Sequence, residues 1–337
     1  MENITELKSI LARPRDILIT SHRNPDGDAI GSSLGLKLFL EQEGHTVKVV
    51  VPSDFPHFLN WMPGASEVLI YDNDPEEIGK LMERMGMVFY LDFNSLERID
   101  KMGEITGPMN VPKVLIDHHL LPEPIADFDL HSTLASSTSE LVYDFIKLMG
   151  KEDLVTKDVA ECLFTGILTD TGSFKYSTSP KLFRMVGDLL AKGVDDVRIQ
   201  NLVFNSLEEK HLRLLGHVLH NRMEVLPEYR TAIITLTKKD YEEFNISRGD
   251  TEGLVNYLLM MKDVVLAAFI HEQPTITKIS LRSKGDFSVQ EIAKKYFKGG
   301  GHRNASGGYS FIGLRATVRK FKEVLPEYKE ALLNTTI

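Results

Sequence analysis

Four short stretches of this sequence put carboxylates and imidazoles where they can meet. The first is Ser21-His22-Arg23-Asn24-Pro25-Asp26-Gly27-Asp28, directly after the apolar run DILIT at 16–20. The second is Asp92, directly after VFYL at 88–91. The third is Asp117-His118-His119, directly after KVLI at 113–116, and the fourth is Asp170, behind Gly166-Ile167-Leu168-Thr169. Imidazole and carboxylate together suit hard to borderline divalent ions such as Mn²⁺. Five acids and three histidines converging on one place would repel strongly without cations, so bound metal is the natural resolution. Asp26 and Asp28 alternate with Gly27, so the two carboxylates are expected to serve different metals across a tight turn that glycine lets bend. A lone aspartate after a strand is usually a turn or cap residue. The ordered set of four is what points to chemistry.

The elements that must position these residues are legible as periodicity. The apolar runs 16–20, 46–51, 88–91 and 113–116 read as buried strands, and 27–43, 136–149 and 157–169 as helices. Their alternation predicts an α/β fold, an open and mainly parallel sheet flanked by helices, with ligands outside the carboxyl ends of the strands. A helical stretch follows from about 180 to 223, with Leu212, Leu215 and Leu219 on one face and Pro227 as its stop. Strand-like runs at 231–237, 264–270 and 277–283 then predict a second, smaller α/β unit. The expected division is a catalytic domain at 1–190, a helical connector at 191–227 and a substrate-binding domain at 228–337.

Composition narrows the classes. The 337 residues suit two domains, and the net charge of −9 argues against gripping long duplex nucleic acid. Apolar runs such as Val264 to Ile270 fall short of a membrane span, and the opening MENITELKSILARPRD lacks an apolar export core. The single cysteine, Cys162, excludes an intramolecular disulfide, and a cytoplasmic location is the expectation.

Taken in order, the motifs resemble those of the DHH phosphoesterases, named for the triplet seen here as Asp117-His118-His119. HRNPDGDAIGS (22–32), the lone Asp92, GILTDTGSF (166–174) and the glycine-rich GGGHRNASGG (299–308) complete the resemblance. It extends over nearly the whole chain and is strongest to bacterial nanoRNases that also dephosphorylate 3′-phosphoadenosine 5′-phosphate (pAp). The resemblance implies two divalent ions, with manganese the expected metal. His22 and Asp26 would hold one, Asp28, His118 and Asp170 the other, and Asp92 would bridge. Asp117 would orient an imidazole, and His119 would contact the phosphate or the leaving group. The implied partners are short single-stranded RNA, dinucleotides and pAp, with no long duplex and no membrane; a homodimer stays open. Family members often carry arginine where Ser173 stands, which affects one substrate contact and leaves the metal ligands intact.

Residues 278–303 carry Lys278, Arg282, Lys284, Lys294, Lys295, Lys298 and Arg303 against only Asp286 and Glu291. The glycines at 299–301 are expected to bare backbone N–H groups for an anion, ahead of His302 and a short helix. Arg282 offers a planar fork suited to phosphate. A substrate's terminal phosphate is therefore expected on Arg282, Ser283, Gly300, Gly301 and His302. Phe204, Tyr257 and Tyr309 read as core residues rather than base-stacking surfaces. The competing readings are an inorganic pyrophosphatase of family II type, a phosphodiesterase of linear or cyclic dinucleotide messengers, and a non-catalytic nucleotide sensor. The glycine-rich GGGH argues against the first, and the complete ligand set against the last.

Overall fold

The structure is a computed structural model that describes residues 3–205, 208–247, 250–251 and 253–336. It forms two compact units, Met1–Ser206 and Leu207–Ile337. The division falls inside 191–227, the stretch expected to be a connector.

In the first unit six strands run in the order β3-β2-β1-β4-β5-β6. They are β1 (Asp16–Ser21), β2 (Thr46–Val51), β3 (Leu69–Ile70), β4 (Met87–Leu91), β5 (Lys113–Asp117) and β6 (Phe128–His131). Every neighbouring pair is parallel. The strand order reverses direction between β1 and β4, the place where such sheets open a crevice for ligands. Among the described residues eight α-helices accompany the sheet: α1 (Ile4–Leu11), α2 (Gly27–Gln42), α3 (Pro75–Met82), α4 (Lys101–Thr106), α5 (Thr138–Met149), α6 (Lys157–Asp170), α7 (Pro180–Ala191) and α8 (Asp196–Phe204). Alternation along β1 sends Ile17 and Ile19 into one core with α1, α2, α5 and α6, and Leu18 into another with α3 and α4. With both faces covered, β4 reads MVFYL and buries every side chain.

The site's geometry depends on how closely α2 and α6 approach. A Cβ at Gly31 would lie 2.6 Å from the Cys162 carbonyl oxygen, and one at Gly35 2.6 Å from Leu163 Cδ2. At Gly27 it would lie 2.4 Å from Thr169 Oγ1. This corrects the expected role of Gly27. It is the first residue of α2 and has no positive φ, so what it supplies is room for Thr169 rather than freedom to bend. Bringing Thr169 against Gly27 carries its neighbour Asp170 toward Asp28.

The second unit holds β7 (Met223–Leu226), β8 (Thr231–Leu236), β9 (Leu266–Glu272), β10 (Thr277–Ser283), β11 (Gly300–Gly301) and β12 (Ala305–Ser310). They are ordered β11-β12-β10-β9-β8-β7, antiparallel except for β8 with β9. Its helices are α9 (Glu209–His217), α10 (Lys238–Glu243), α11 (Leu254–Leu259), α12 (Val289–Tyr296) and α13 (Leu314–Asn334). One sheet face packs with α12 and α13, and part of the other with α9 and α11.

Three expectations are corrected here. The helical stretch stops before Pro227: a π turn at Val218–Arg222 ends it, and 223–226 is a strand. The buried face of this stretch centres on Leu214 and Val218, with Leu215 and Leu219 packed partly buried against the same cluster, while Leu212 is 59% exposed. Docking on β8 and β9 therefore keeps two of the three expected leucines and turns Leu212 outward. The glycine-rich run leads into a β11–β12 hairpin rather than a short helix, because Gly300 and Gly301 pair with Gly307 and Ser306.

The helix contact makes a paired prediction. Gly31→Ala must separate two backbones and should lower unfolding stability by about 1–3 kcal/mol. Gly187→Ala, inside α7 with open space around its Cβ, should instead raise it by roughly 0.5–1 kcal/mol. Denaturant unfolding of both variants is the measurement, and matching effects would refute the contact argument.

Candidate functional site

Strand ends and helix ends deliver the predicted ligands to one cluster in the first unit. His22 follows β1, Asp92 follows β4, and Asp117 closes β5 ahead of His118 and His119. Asp26 caps α2, accepting from the Asp28 and Ala29 N–H groups at 3.0 and 3.1 Å. Asp28 lies in the first turn of α2, and Asp170 is the last residue of α6.

Asp92 is the centre. Its φ of 65° is left-handed, which is uncommon for a non-glycine residue and typical of constrained functional positions. Its carboxylate oxygens lie 3.3 Å from His22 Nε2 and 3.4 Å from His118 Nε2. His22 Nε2 is 4.0 Å from Asp26; His118 Nε2 is 3.9 Å from Asp28 and 3.4 Å from Asp170. Three three-residue sets in this unit bring ligand atoms close enough to hold a cation: His22 with Asp26 and Asp92, Asp28 with Asp92 and His118, and Asp92 with Asp117 and His119, the last already joined by the Asp117–His119 contact. Asp92 belongs to all three. His119 Nδ1 meets Asp117 Oδ1 at 2.8 Å, and the other Asp117 oxygen is buried without a hydrogen-bond partner among the described residues.

Several supports carried no motif signal in the sequence. The first two backbone N–H groups of α5, from Thr138 and Ser139, donate to the two oxygens of buried Asp28 at 2.6 and 2.9 Å. A helix N-terminus favours such a carboxylate. The Thr138 hydroxyl donates to Asp92 at 3.1 Å. His131 has its Nε2 2.6 Å from the His119 carbonyl oxygen and so steadies the triplet's backbone. The Arg98 guanidinium lowers the proton affinity of both His22 and His119. An arginine six residues beyond Asp92 was the only cue to it.

Protonation follows from this crowding. Burial pushes the Asp28 carboxyl up to about 7, aided by the charge of Asp92. Burial also raises Asp170 well above the carboxylate range, against the pull of His118. Burial opposes ionised Asp92 too, but hydrogen bonds with His118 and His22 outweigh it and hold that carboxyl low. Burial likewise opposes charge on His118 and His22, yet contact with Asp92 raises both. Protons here take the places cations would take, and a divalent metal is the cofactor this donor set fits.

The second unit receives the predicted anion contacts less uniformly. Arg282 lies on β10, and Gly300, Gly301 and His302 lie in the β11–β12 hairpin. Ser283 departs from expectation. It is buried, its hydroxyl donates to Phe287 O at 2.7 Å, and it accepts from Asn304 at 2.9 Å. Alternation along the strand turns it away from Arg282. The N–H groups of Gly299 and His302 are spent on Ala293 and Ala305, so the row is not wholly bare. The basic run also disperses, with Lys295 paired to Glu327 and Lys284 bonded to Met261 O. Phe204, Tyr257 and Tyr309 are each about 40% exposed rather than in the core.

A doubly wound sheet with a carboxylate cage at its reversal point, followed along the chain by a second α/β unit, is the architecture of a DHH-type phosphoesterase. The chain belongs to the DHH family: the DHH family, N-terminal domain, matches residues 16–167 and the DHHA1 domain residues 230–328. It is 31% identical over 293 residues to the bifunctional oligoribonuclease and PAP phosphatase NrnA of Thermus thermophilus, covering 86% of this chain and 83% of that protein. An exopolyphosphatase-related protein from Bacteroides fragilis superposes with a TM-score of 0.94 at 42% identity, over 98% and 97% of the two chains. Manganese-bound RecJ from Thermus thermophilus shares the fold, with a TM-score of 0.55 at 14% identity over 98% of this chain and 55% of that one. Among the described residues no helix is long and apolar enough to cross a membrane.

Metal loading should release protons. Carboxyls and imidazoles whose hold on a proton this crowding strengthens, Asp28 to about 7, must give up those protons to bind a cation. Affinity for Mn²⁺ should therefore rise with pH between 6 and 8, by about tenfold per pH unit for each proton displaced. Calorimetry in two buffers of different ionisation enthalpy measures this; an affinity independent of pH would contradict the arrangement.

Proposed function

We propose that the chain hydrolyses short oligoribonucleotides to mononucleotides and dephosphorylates pAp, using two divalent ions, with Mn²⁺ as the metal. The observation that carries this reading is the sharing of Asp92 by two adjacent donor sets. One carboxylate common to both makes a paired rather than a single cation the economical arrangement. The oligoribonuclease and PAP phosphatase activities in the name of the Thermus thermophilus relative supply the substrate class.

His22 and Asp26 would hold one ion, Asp28, His118 and Asp170 the other, and Asp92 both. Bound there, such ions would supply a water of lowered pKa and would neutralise charge on the phosphoryl oxygens. The α5 N-terminus fixes both Asp28 oxygens, so that ligand arrives already oriented. Asp117 sets the His119 ring through Nδ1, which directs Nε2 toward the ester oxygen. Arg282, with the Gly300-Gly301-His302 turn, would anchor a terminal phosphate by a planar, charge-assisted contact. A chain held by one such anchor should show a shallow salt dependence, unlike an enzyme that tracks many phosphates.

Two measurements test the reading. Turnover of 5′-labelled oligoribonucleotides of increasing length, with pAp and pyrophosphate alongside, should favour the short oligomers and pAp. It should vanish in excess EDTA, and Asp92→Ala should cost more than any other single ligand change. Full turnover in EDTA would overturn the metal assignment. Arg282→Ala removes a charge-assisted hydrogen bond worth roughly 1.5–3 kcal/mol. It should lower kcat/KM about ten- to hundredfold on dinucleotides and pAp. The loss should be much smaller on an activated phosphodiester lacking a terminal phosphate, and equal losses would refute the anchor.

A further inference from the structure

The face of the second sheet that carries Arg282 extends beyond that anchor. Along β10 burial alternates, with Thr277, Ile279, Leu281 and Ser283 buried and Lys278, Ser280 and Arg282 half-buried on the opposite side. Antiparallel pairing sets Tyr309 across from Lys278, Gly307 across from Ser280, and Ala305 across from Arg282. Residues directly opposite share a face. Gly300, opposite Gly307, extends it to β11. None of these residues is acidic, in a chain of net charge −9.

The glycines on this face differ from their neighbours. A Cβ at Gly299 would lie 1.8 Å from the Gly307 carbonyl oxygen, and one at Gly308 2.5 Å from that of Phe297, so packing demands glycine at both. At Gly300 a Cβ would meet nothing within 4 Å, and at Gly307 only Ile279 O at 3.4 Å. Neither has a positive φ. Glycine weakens a strand, and where neither packing nor backbone requires it, it marks close approach by something else. The open floor is bordered by Tyr309, 37% exposed, whose ring is braced edge-on by Phe311 at 5.5 Å. Lys298 lies over the Phe311 ring at 5.4 Å. Lys278 and Arg282, four residues apart, stand about 13 Å from each other along the strand.

We propose that Lys278, Tyr309 and the Gly300–Gly307 floor form a second nucleotide subsite, taking the base and phosphate of a nucleotide beyond the first two of a strand anchored at Arg282. The ligand class is single-stranded oligoribonucleotide. Tyr309 stacks the base, Lys278 meets a phosphate, and the bare glycine floor lets the sugar–phosphate chain lie flat between them. This rests on the oligoribonucleotide reading above. It gives the second unit a means of favouring a few linked nucleotides over a lone phosphate.

The test is binding, so that it stands apart from turnover. Fluorescein-labelled, hydrolysis-resistant phosphorothioate oligoadenylates of two and five nucleotides are titrated with the full chain in Mn²⁺. The pentamer should bind the wild type more tightly than the dimer. Tyr309→Ala and Lys278→Ala should each reduce that length advantage about tenfold, the scale of one lost base stack. Tyr309→Phe should restore it. Gly307→Ala, whose Cβ would meet only Ile279 O at 3.4 Å, narrows the floor, so it should weaken pentamer binding at unchanged Tm. Equal binding of the two lengths by the wild type, or equal losses on both in the variants, would overturn the subsite. So would a change in sedimentation of Tyr309→Ala with pentamer binding intact, which would make this face a contact between copies of the chain. Failure of turnover with a preserved length advantage would refute the proposed activity and leave the subsite standing.

Discussion

The carboxylate of Asp92 stands between two buried imidazoles, 3.3 Å from one and 3.4 Å from the other, and the rest of the first unit is arranged around that fact. Like charges this close cannot all remain ionised without compensation. Burial first, and the neighbouring carboxylates second, make Asp28 and Asp170 hold their protons far more tightly than ordinary carboxylates. The backbone makes its own concession, since Asp92 occupies a left-handed conformation to aim its side chain there. Such an arrangement persists only where the surroundings over-determine it. Here β4 is buried along its whole length, and the Asp92 N–H is tied to the Ile116 carbonyl at 3.1 Å.

The remaining supports answer the same constraint from other elements. The α5 N-terminus offers Asp28 two N–H groups and the favourable end of its dipole. The glycine contacts of α2 with α6 are what let Asp170 arrive at all, because larger side chains would hold the helices apart. Arg23 clamps the first loop from outside, forking onto Asp72 at 2.8 and 2.9 Å while also pairing with Asp100. A clamp of this kind holds His22 and Asp26 in register with Asp92 whether or not a cation is present.

The second unit works by the opposite economy. Its sheet is covered by α12 and α13 on one face, and on the other α9 and α11 pack over β8 and β9. Strands β10, β11 and β12 there keep small residues flanked by cations and an aromatic ring. The basic run that looked continuous along the chain is split by the pleat and by helix periodicity, so only part of it can meet one ligand. Ser283 shows the same effect at a single position. One step along β10 from Arg282, it points into the covered side and closes the turn through Phe287 and Asn304.

Sequence alone pointed to the mainly parallel α/β class and to the six residues that the fold gathers around Asp92, because strand-end position and residue chemistry are local and ordered. The strands at 16–21, 46–51, 87–91 and 113–117 were visible as short apolar runs for the same reason. Other features depend on which elements pack together. The choice of Leu214 over Leu212 was settled by docking on the sheet, since both satisfy helical spacing. The hairpin after Gly299 was settled by its partner strand, because glycines suit a loop, a helix start or a close ladder equally well. The purpose of Gly27 was hidden for a related reason: glycine's missing side chain is meaningful only once Thr169 is known to occupy its place. The amides of Thr138 and Ser139 carry no side-chain signature, so only tertiary structure could reveal that they hold Asp28. Residue types set the chemistry this chain can perform, and distances between segments remote in sequence decide which residues perform it together.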